Sequence, residues 1–172
     1  MRPYIDIRFS KRIPGVSTQW VRKVVGKTLA FESARRRGGF VRKAPSDRFS
    51  ALCGEKRAVS VLLTDDKEIR KINKRFLKHD YATDVISFGT VGAGLKPART
   101  KSGYLGDLVV SVEMAKRVAK KMAISFKKEL ARYLVHGTLH LLGYNDKKPK
   151  DKKVMHRRQE WILDQLCTSR ER

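Results

Sequence analysis

The sequence predicts an α+β fold: a single domain with a small mixed β-sheet of about four strands, packed by about five helices. Three observations carry this. Four short runs have strand length and strand composition: PYIDIRF (3–9), RAVSVLLT (57–64), TDVISFG (83–89) and LGDLVVSV (105–112). The segments between and after them are longer and repeat their apolar residues at helical spacing. The chain has 172 residues, 41% hydrophobic and 33% charged, enough for one core and too apolar for a disordered polymer.

Each element has its own signal. PYIDIRF alternates as a half-buried strand does. STQWVRKVVGKTLAFESA follows as a helix, with Ser17 or Thr18 as N-cap and an apolar face of Trp20, Val21, Val24, Val25 and Leu29. The basic stretch near 33–57 has no period and is rich in Arg, Gly and Ser, so it reads as a loop or insertion. RAVSVLLT is the second strand. DDKEIRKINKRFL is a helix with two aspartates at its positive end. TDVISFG is a strand, and the Gly/Pro loop near 89–103 separates it from LGDLVVSV. Three helices complete the chain: SVEMAKRVAKKMA, then SFKKELARYLVHGTLHLLG capped by Ser125, then DKKVMHRRQEWILDQLC. The helices are expected on one side of the sheet.

Charge is the first pointer to function. Forty Lys and Arg against 17 Asp and Glu leave +23. Self-repulsion of that size opposes compactness, so it points to a polyanionic partner, with nucleic acid ahead of an anionic membrane surface. No apolar run reaches membrane-spanning length, and the start lacks an apolar leader segment. The expected setting is the cytoplasm, with Cys53 and Cys167 as two free thiols.

The second pointer is LARYLVHGTLHLLGYND, residues 130–146. His136 and His140 lie one helical turn apart, where two imidazoles can share one ion. Gly143 suits a left-handed helix end, and a reversal there returns Asp146 toward the same ion. The pattern is a metal clip at a helix end, with His136, His140 and Asp146 as ligands and an open position left for chemistry. Two packed histidines that hydrogen-bond elsewhere are the competing reading. Gly137 stands where a zinc peptidase carries its catalytic Glu, which argues against peptidase chemistry. His156 is an outside candidate for a third ligand. His79 and Asp80 have cleft or turn roles, Asp107 reads as a cap, and Tyr4, Phe9, Trp20, Phe76, Phe88, Tyr133 and Trp161 read mainly as packing residues.

Three motifs in order resemble the YbeY family of metal-dependent ribosomal RNA endoribonucleases. HGTLHLLGYND resembles its H-G-x-L-H-L-x-G-Y-D-H, KINKRFLKHDYATDVISF its L-N-x-x-Y-R-x-x-D-x-P-T-D-V-L-S-F, and YLGDLVVS its L-G-D-I-x-I-S. Met155 and Glu160 fit the family's downstream spacing, and the likeness runs from about 58 to 165. The resemblance implies a small α+β fold and one zinc ion (Zn2+) per chain. It also implies cleavage of single-stranded RNA in ribosomal RNA maturation and ribosome quality control. Its partners would be ribosomal RNA and ribosomal subunits, with a ribosomal protein as a further candidate and no membrane. The family's third zinc-binding histidine falls on Asp146, preceded by Asn145, and its functional arginine falls on Leu77. Arg75 and Lys78 are therefore expected to share the catalytic work with His136 and His140 by holding phosphate. Lys147, Lys148, Lys152 and Lys153, in the turn after the clip, are expected to bind the RNA backbone. The alternative is a non-catalytic ribosome-assembly factor using the same fold.

Overall fold

The computed structural model describes residues 3–37, 57–90 and 103–168. Four strands and five helices follow one another as β1 (Tyr4–Phe9), α1 (Thr18–Arg37), β2 (Ala58–Thr64), α2 (Asp66–Leu77), β3 (Val85–Gly89), β4 (Tyr104–Ser111), α3 (Val112–Lys121), α4 (Phe126–Leu141) and α5 (Pro149–Thr168). One sheet takes the order β1-β2-β4-β3, with β2 parallel to both neighbours and β3 antiparallel to β4. The expected mixed α+β sheet is what forms. Most of the basic stretch near 33–57 and of the Gly/Pro loop near 89–103 lies outside the described residues, as does Cys53; α1 continues through Arg37.

Alternation along the strands sorts the side chains into two layers. Val59, Val61 and Leu63 of β2, with Leu108 and Val110 of β4, face the main core beneath α1, α4 and α5. Leu62, Val109 and Ile86 face the other way and meet Ile69 and Ile72 of α2. The helices therefore occupy both faces, correcting the one-sided packing expected from sequence. The physical reason is visible in VLL of β2 and LVV of β4: strands apolar at consecutive positions need cover on both sides.

α4 is the central helix. Ser125 caps it by accepting from the Lys128 amide at 3.2 Å. Leu130, Leu134, Val135, Leu139 and Leu141 are buried around it, so it touches α1, α3, α5 and the sheet. A helix apolar on most of its circumference is stable only when enclosed in this way. Each fully buried leucine contributes about 1.5–3 kcal/mol. α4 comes unusually close to the sheet at Gly137, whose carbonyl accepts from Ser87 Oγ at 3.2 Å. A Cβ there would sit 2.9 Å from both Leu108 Cδ2 and Val85 Cγ2. The absent peptidase glutamate thus has a structural cause: this position faces packed sheet, not the cleft.

In β4, Gly106 permits a bulge. Ala58 pairs with Tyr104 and Val59 with Gly106, leaving Leu105 as the extra residue. Gly106 has φ +139, and a Cβ would fall 2.1 Å from the Phe88 carbonyl oxygen. α2 begins at an Asp65 cap, whose carboxylate accepts from the Glu68 amide at 2.9 Å. It ends at Lys78, in the left-handed conformation at φ 63, which turns the chain into His79–Tyr81.

Candidate metal centre and its cleft

The C-terminus of α4 builds the centre. The Tyr144 amide donates to the Leu139 carbonyl at 3.0 Å and the Gly143 amide to the His140 carbonyl at 2.9 Å. With Gly143 at φ +88, this is the paired-bond ending that reverses a chain after a helix. The next turn is closed by Asn145, whose Oδ1 accepts from the Lys147 amide at 3.0 Å. An aspartate carboxylate could accept the same bond, so Asn145 preserves the turn expected of the family's Asp. Between these two bonds Asp146 is brought back over the helix.

The three expected ligands converge. His136 Nε2 and His140 Nε2 are 3.0 Å apart, and Asp146 Oδ2 lies 3.9 and 3.7 Å from them. A triangle with those sides has its centre about 2.1 Å from each corner, a metal–ligand distance for zinc. Among the described residues this is the group of His, Cys, Asp and Glu side chains close enough to hold one ion.

Proton placement supports a cation there. His136 Nδ1 is 2.9 Å from Gln159 Oε1, while Gln159 Nε2 donates to Glu160 Oε1 at 2.9 Å. Gln159 therefore offers His136 an oxygen, which can only accept, so Nδ1 carries the hydrogen. His140 Nδ1 likewise faces the Tyr144 carbonyl at 3.1 Å and donates to it. In the neutral imidazoles both Nε2 atoms then present lone pairs to each other and to a carboxylate. Such a cluster is repulsive without a positive charge at its centre, and the donor set fits a divalent metal. Burial, followed by the nearby His136, holds the His140 imidazole below its ordinary pKa, in the neutral form a metal requires.

A second layer of contacts fixes the ligands from α1 and α5. Glu160 is held by Arg132, which also donates to Glu129 at 3.1 Å. The Tyr144 hydroxyl donates to buried Glu32 at 2.8 Å and accepts from Arg35 at 2.9 Å. Burial and Glu32 push the Tyr144 hydroxyl up to about 12. Glu32 also pairs with Arg158, whose guanidinium stacks 4.1 Å from the Trp161 ring. Gln159 has no counterpart in the sequence reading. Its approach to His136 depends on how α5 packs on α4, which no local spacing encodes.

The centre opens into a cleft of about 570 Å³, walled by the α2 end, β3 and the 143–147 turn. Lys147, Asp84, Leu77, His79 and Tyr81 line it. The remaining expected residues are placed as follows. Arg75 and Lys78 are exposed on α2 and its cap and are not among the described residues lining this cleft. Arg75 lies 5.3 Å from the Phe76 ring, and Lys78 Nζ reaches back to the Arg75 carbonyl at 3.5 Å. Lys148, Lys152 and Lys153 are exposed beyond the cleft. The stretch expected to be a turn is helical from Pro149, because proline suits the first helical position. His156 is exposed on α5, Asp80 pairs with Arg70 and Lys74, Asp107 accepts the Tyr104 hydroxyl at 2.6 Å, and Cys167 is exposed. No described helix is long and apolar enough to cross a membrane.

A family model described as endoribonuclease YbeY matches residues 42–167. An endoribonuclease YbeY of Myxococcus xanthus is 44% identical over 106 residues, covering 61% of this chain and 35% of that longer protein. Another, from Persephonella marina, is 33% identical over 146 residues, covering 84% of this chain and 92% of the relative. The solution structure of a Thermotoga maritima protein, TM1509, superposes with a TM-score of 0.56 at 21% identity, over 96% of this chain and 90% of that one, a likeness of fold. The family model spans most of the chain and the metal-centre residues lie within that span, so the chain belongs to the YbeY family.

Proposed function

We propose that this chain is a zinc-dependent endoribonuclease that cleaves single-stranded RNA during ribosomal RNA maturation and ribosome quality control in the cytoplasm. The observation that carries the reading is the convergence of two oriented imidazole lone pairs and one carboxylate at the floor of an open cleft. His136, His140 and Asp146 would hold a divalent metal, which would supply Lewis acidity to a phosphodiester and acidify a water. The protein's own share is positional. Gln159 and the Tyr144 carbonyl take the Nδ1 hydrogens and so keep both Nε2 atoms turned inward. Lys147 on the cleft wall can offset phosphate charge, and the exposed Lys148, Lys152 and Lys153 can add further cations for the RNA backbone. Arg75 and Lys78 can serve the same phosphates from the α2 end by side-chain rotation. The single-strand preference, the zinc and the ribosomal partners rest on the resemblance of the motifs at 72–88 and 136–146. The +23 charge supports a polyanionic partner.

One observation favours the second reading, an assembly factor that binds ribosomal RNA or a ribosomal protein without cutting. Leu77 lies on the cleft wall where the family's arginine is expected. Elemental analysis together with RNA cleavage, with and without chelator, decides between them. About one zinc per chain and chelator-sensitive cleavage are expected, both lost in Asp146→Ala. Metal-loaded protein that binds RNA and leaves it intact establishes the assembly factor. Cleavage that survives chelation and Asp146→Ala rules out this centre as the catalyst.

A further inference from the structure

Tyr81 stands on the ridge between two hollows. One is the metal cleft; the other, about 760 Å³, lies along α2 and is lined by Lys67, Arg70, Lys71 and Lys74 with Asp66 and Asp80. Four cations against two carboxylates give this second hollow a formal charge of +2, with Arg70 and Lys74 held by Asp80 and Lys71 by Glu68. Tyr81 is 56% exposed and belongs to neither hydrophobic cluster. It is nonetheless well placed. Its backbone carbonyl accepts from Asn73 Nδ2 at 2.9 Å, and Asn73 is itself only 2% exposed. The preceding Asp80 is clamped by Arg70 at 2.8 Å and Lys74 at 2.9 Å. The His79 ring stacks against that of Tyr81, 5.4 Å between centroids and 14° from parallel, with His79 Nδ1 3.4 Å from the Tyr81 hydroxyl.

A large exposed ring on a fixed backbone, braced by a second ring, is a pre-organised flat surface. Packing does not explain it, since neither core uses it. Its position does: a metal centre suited to a phosphodiester on one side and a cationic hollow suited to phosphate on the other leave a nucleobase as the group between. We infer that the His79–Tyr81 pair is a nucleobase platform, stacking one unpaired base of the RNA between the metal cleft and the α2 hollow, whose net positive charge favours a neighbouring phosphate. Inside a duplex both faces of a base are covered, so the platform accepts only an unpaired one. Stacking tolerates any base, because each has a π-face, so the platform selects for strandedness more than for sequence. This inference rests on the endoribonuclease reading and adds to it a cause for single-strand preference.

The test is binding of single-stranded oligoribonucleotides carrying 2-aminopurine at successive positions, mixed in stopped flow so that binding is read ahead of cleavage. Wild type and Tyr81→Phe should quench the fluorophore at one or two positions. Tyr81→Ala should lose that quenching and bind about 5- to 150-fold more weakly, the range for removing one base–aromatic stack. A strand with an abasic site at the quenched position should bind weakly to wild type and be insensitive to Tyr81→Ala, the coupling that a merely structural role would not produce. Tyr81→Ala binding as tightly as wild type, or losing equally on intact and abasic strands, overturns the platform alone. Wild type that binds no RNA overturns the endoribonuclease reading, and the platform with it.

Discussion

Replacing Gly137 with alanine should destabilise the protein, although the same change elsewhere in a helix usually helps. The propensity gain is about 1 kcal/mol for an interior helix position. Against it stands a new Cβ at 2.9 Å from Leu108 Cδ2, 2.9 Å from Val85 Cγ2 and 3.1 Å from Ser87 Oγ. Leu108 is fully buried and has nowhere to move, and the Val85 methyl sits on a stiff branched side chain. Overpacking of this kind costs about 1–3 kcal/mol, so the net loss should be about 1 kcal/mol. Gly26 in α1 is the control. Its added Cβ would meet Ile5 Cδ1 at 3.6 Å and Pro3 Cγ at 3.9 Å, ordinary contacts, so Gly26→Ala should gain up to about 1 kcal/mol. The two variants should therefore differ by about 2 kcal/mol, or roughly 4–8 °C in Tm for a chain of this size. Urea and thermal unfolding of both, measured side by side, are the assay. Gly137→Ala as stable as Gly26→Ala would refute the argument. It would also reopen the question of why no glutamate follows His136.

Two further outcomes follow from the contacts. Gln159→Leu removes the acceptor that keeps the His136 hydrogen on Nδ1, and should lower metal affinity by about 10- to 100-fold while leaving the fold intact; competition with a chromophoric chelator measures it, and unchanged affinity would remove Gln159 from the centre. The hydrogen bond from Arg70, then that from Lys74, lowers the Asp80 carboxyl to about 2, from an ordinary 3.8. A depressed folded-state value stabilises above the unfolded value and is lost as pH falls through the folded one. The stability gap between wild type and Asp80→Asn should therefore hold from neutral pH down to about 4 and close between about 4 and 2. An Asp80 carboxyl seen by NMR to titrate near 4 would contradict the clamp.

The elements were legible because their signals are local. Ser125 caps α4, Gly143 ends it, and the alternation in PYIDIRF forms β1. The clip was legible for the same reason, since a helix turn and a glycine reversal set its spacing. What escaped was tertiary. Gln159 reaches His136 from a different helix, and no periodicity in α5 marks it out. The placing of α2 on the second face is encoded in the consecutive apolar residues of β2 and β4, which call for cover on both sides. Pro149 resembles a turn residue in sequence, yet proline is equally at home in the first turn of a helix, where it stands. Tyr81 lies between a polar turn and a strand, and only the structure shows that its ring is left uncovered.

The strand pairing has a consequence for how the molecule comes into being. Tyr4 pairs with Ala58, and Ala58 with Tyr104, so the parallel half of the sheet closes long loops before it gains any contact. The ligand-bearing end of α4 and its partner Gln159 on α5 follow all four strands along the chain. During synthesis at ~5–20 residues per second, they leave the ribosome after the sheet they lean on. A chain interrupted before α5 has every strand, yet lacks the amide that orients His136. Full affinity for a metal at His136, His140 and Asp146 is therefore expected only once α5 has docked on α4 and brought Gln159 to His136.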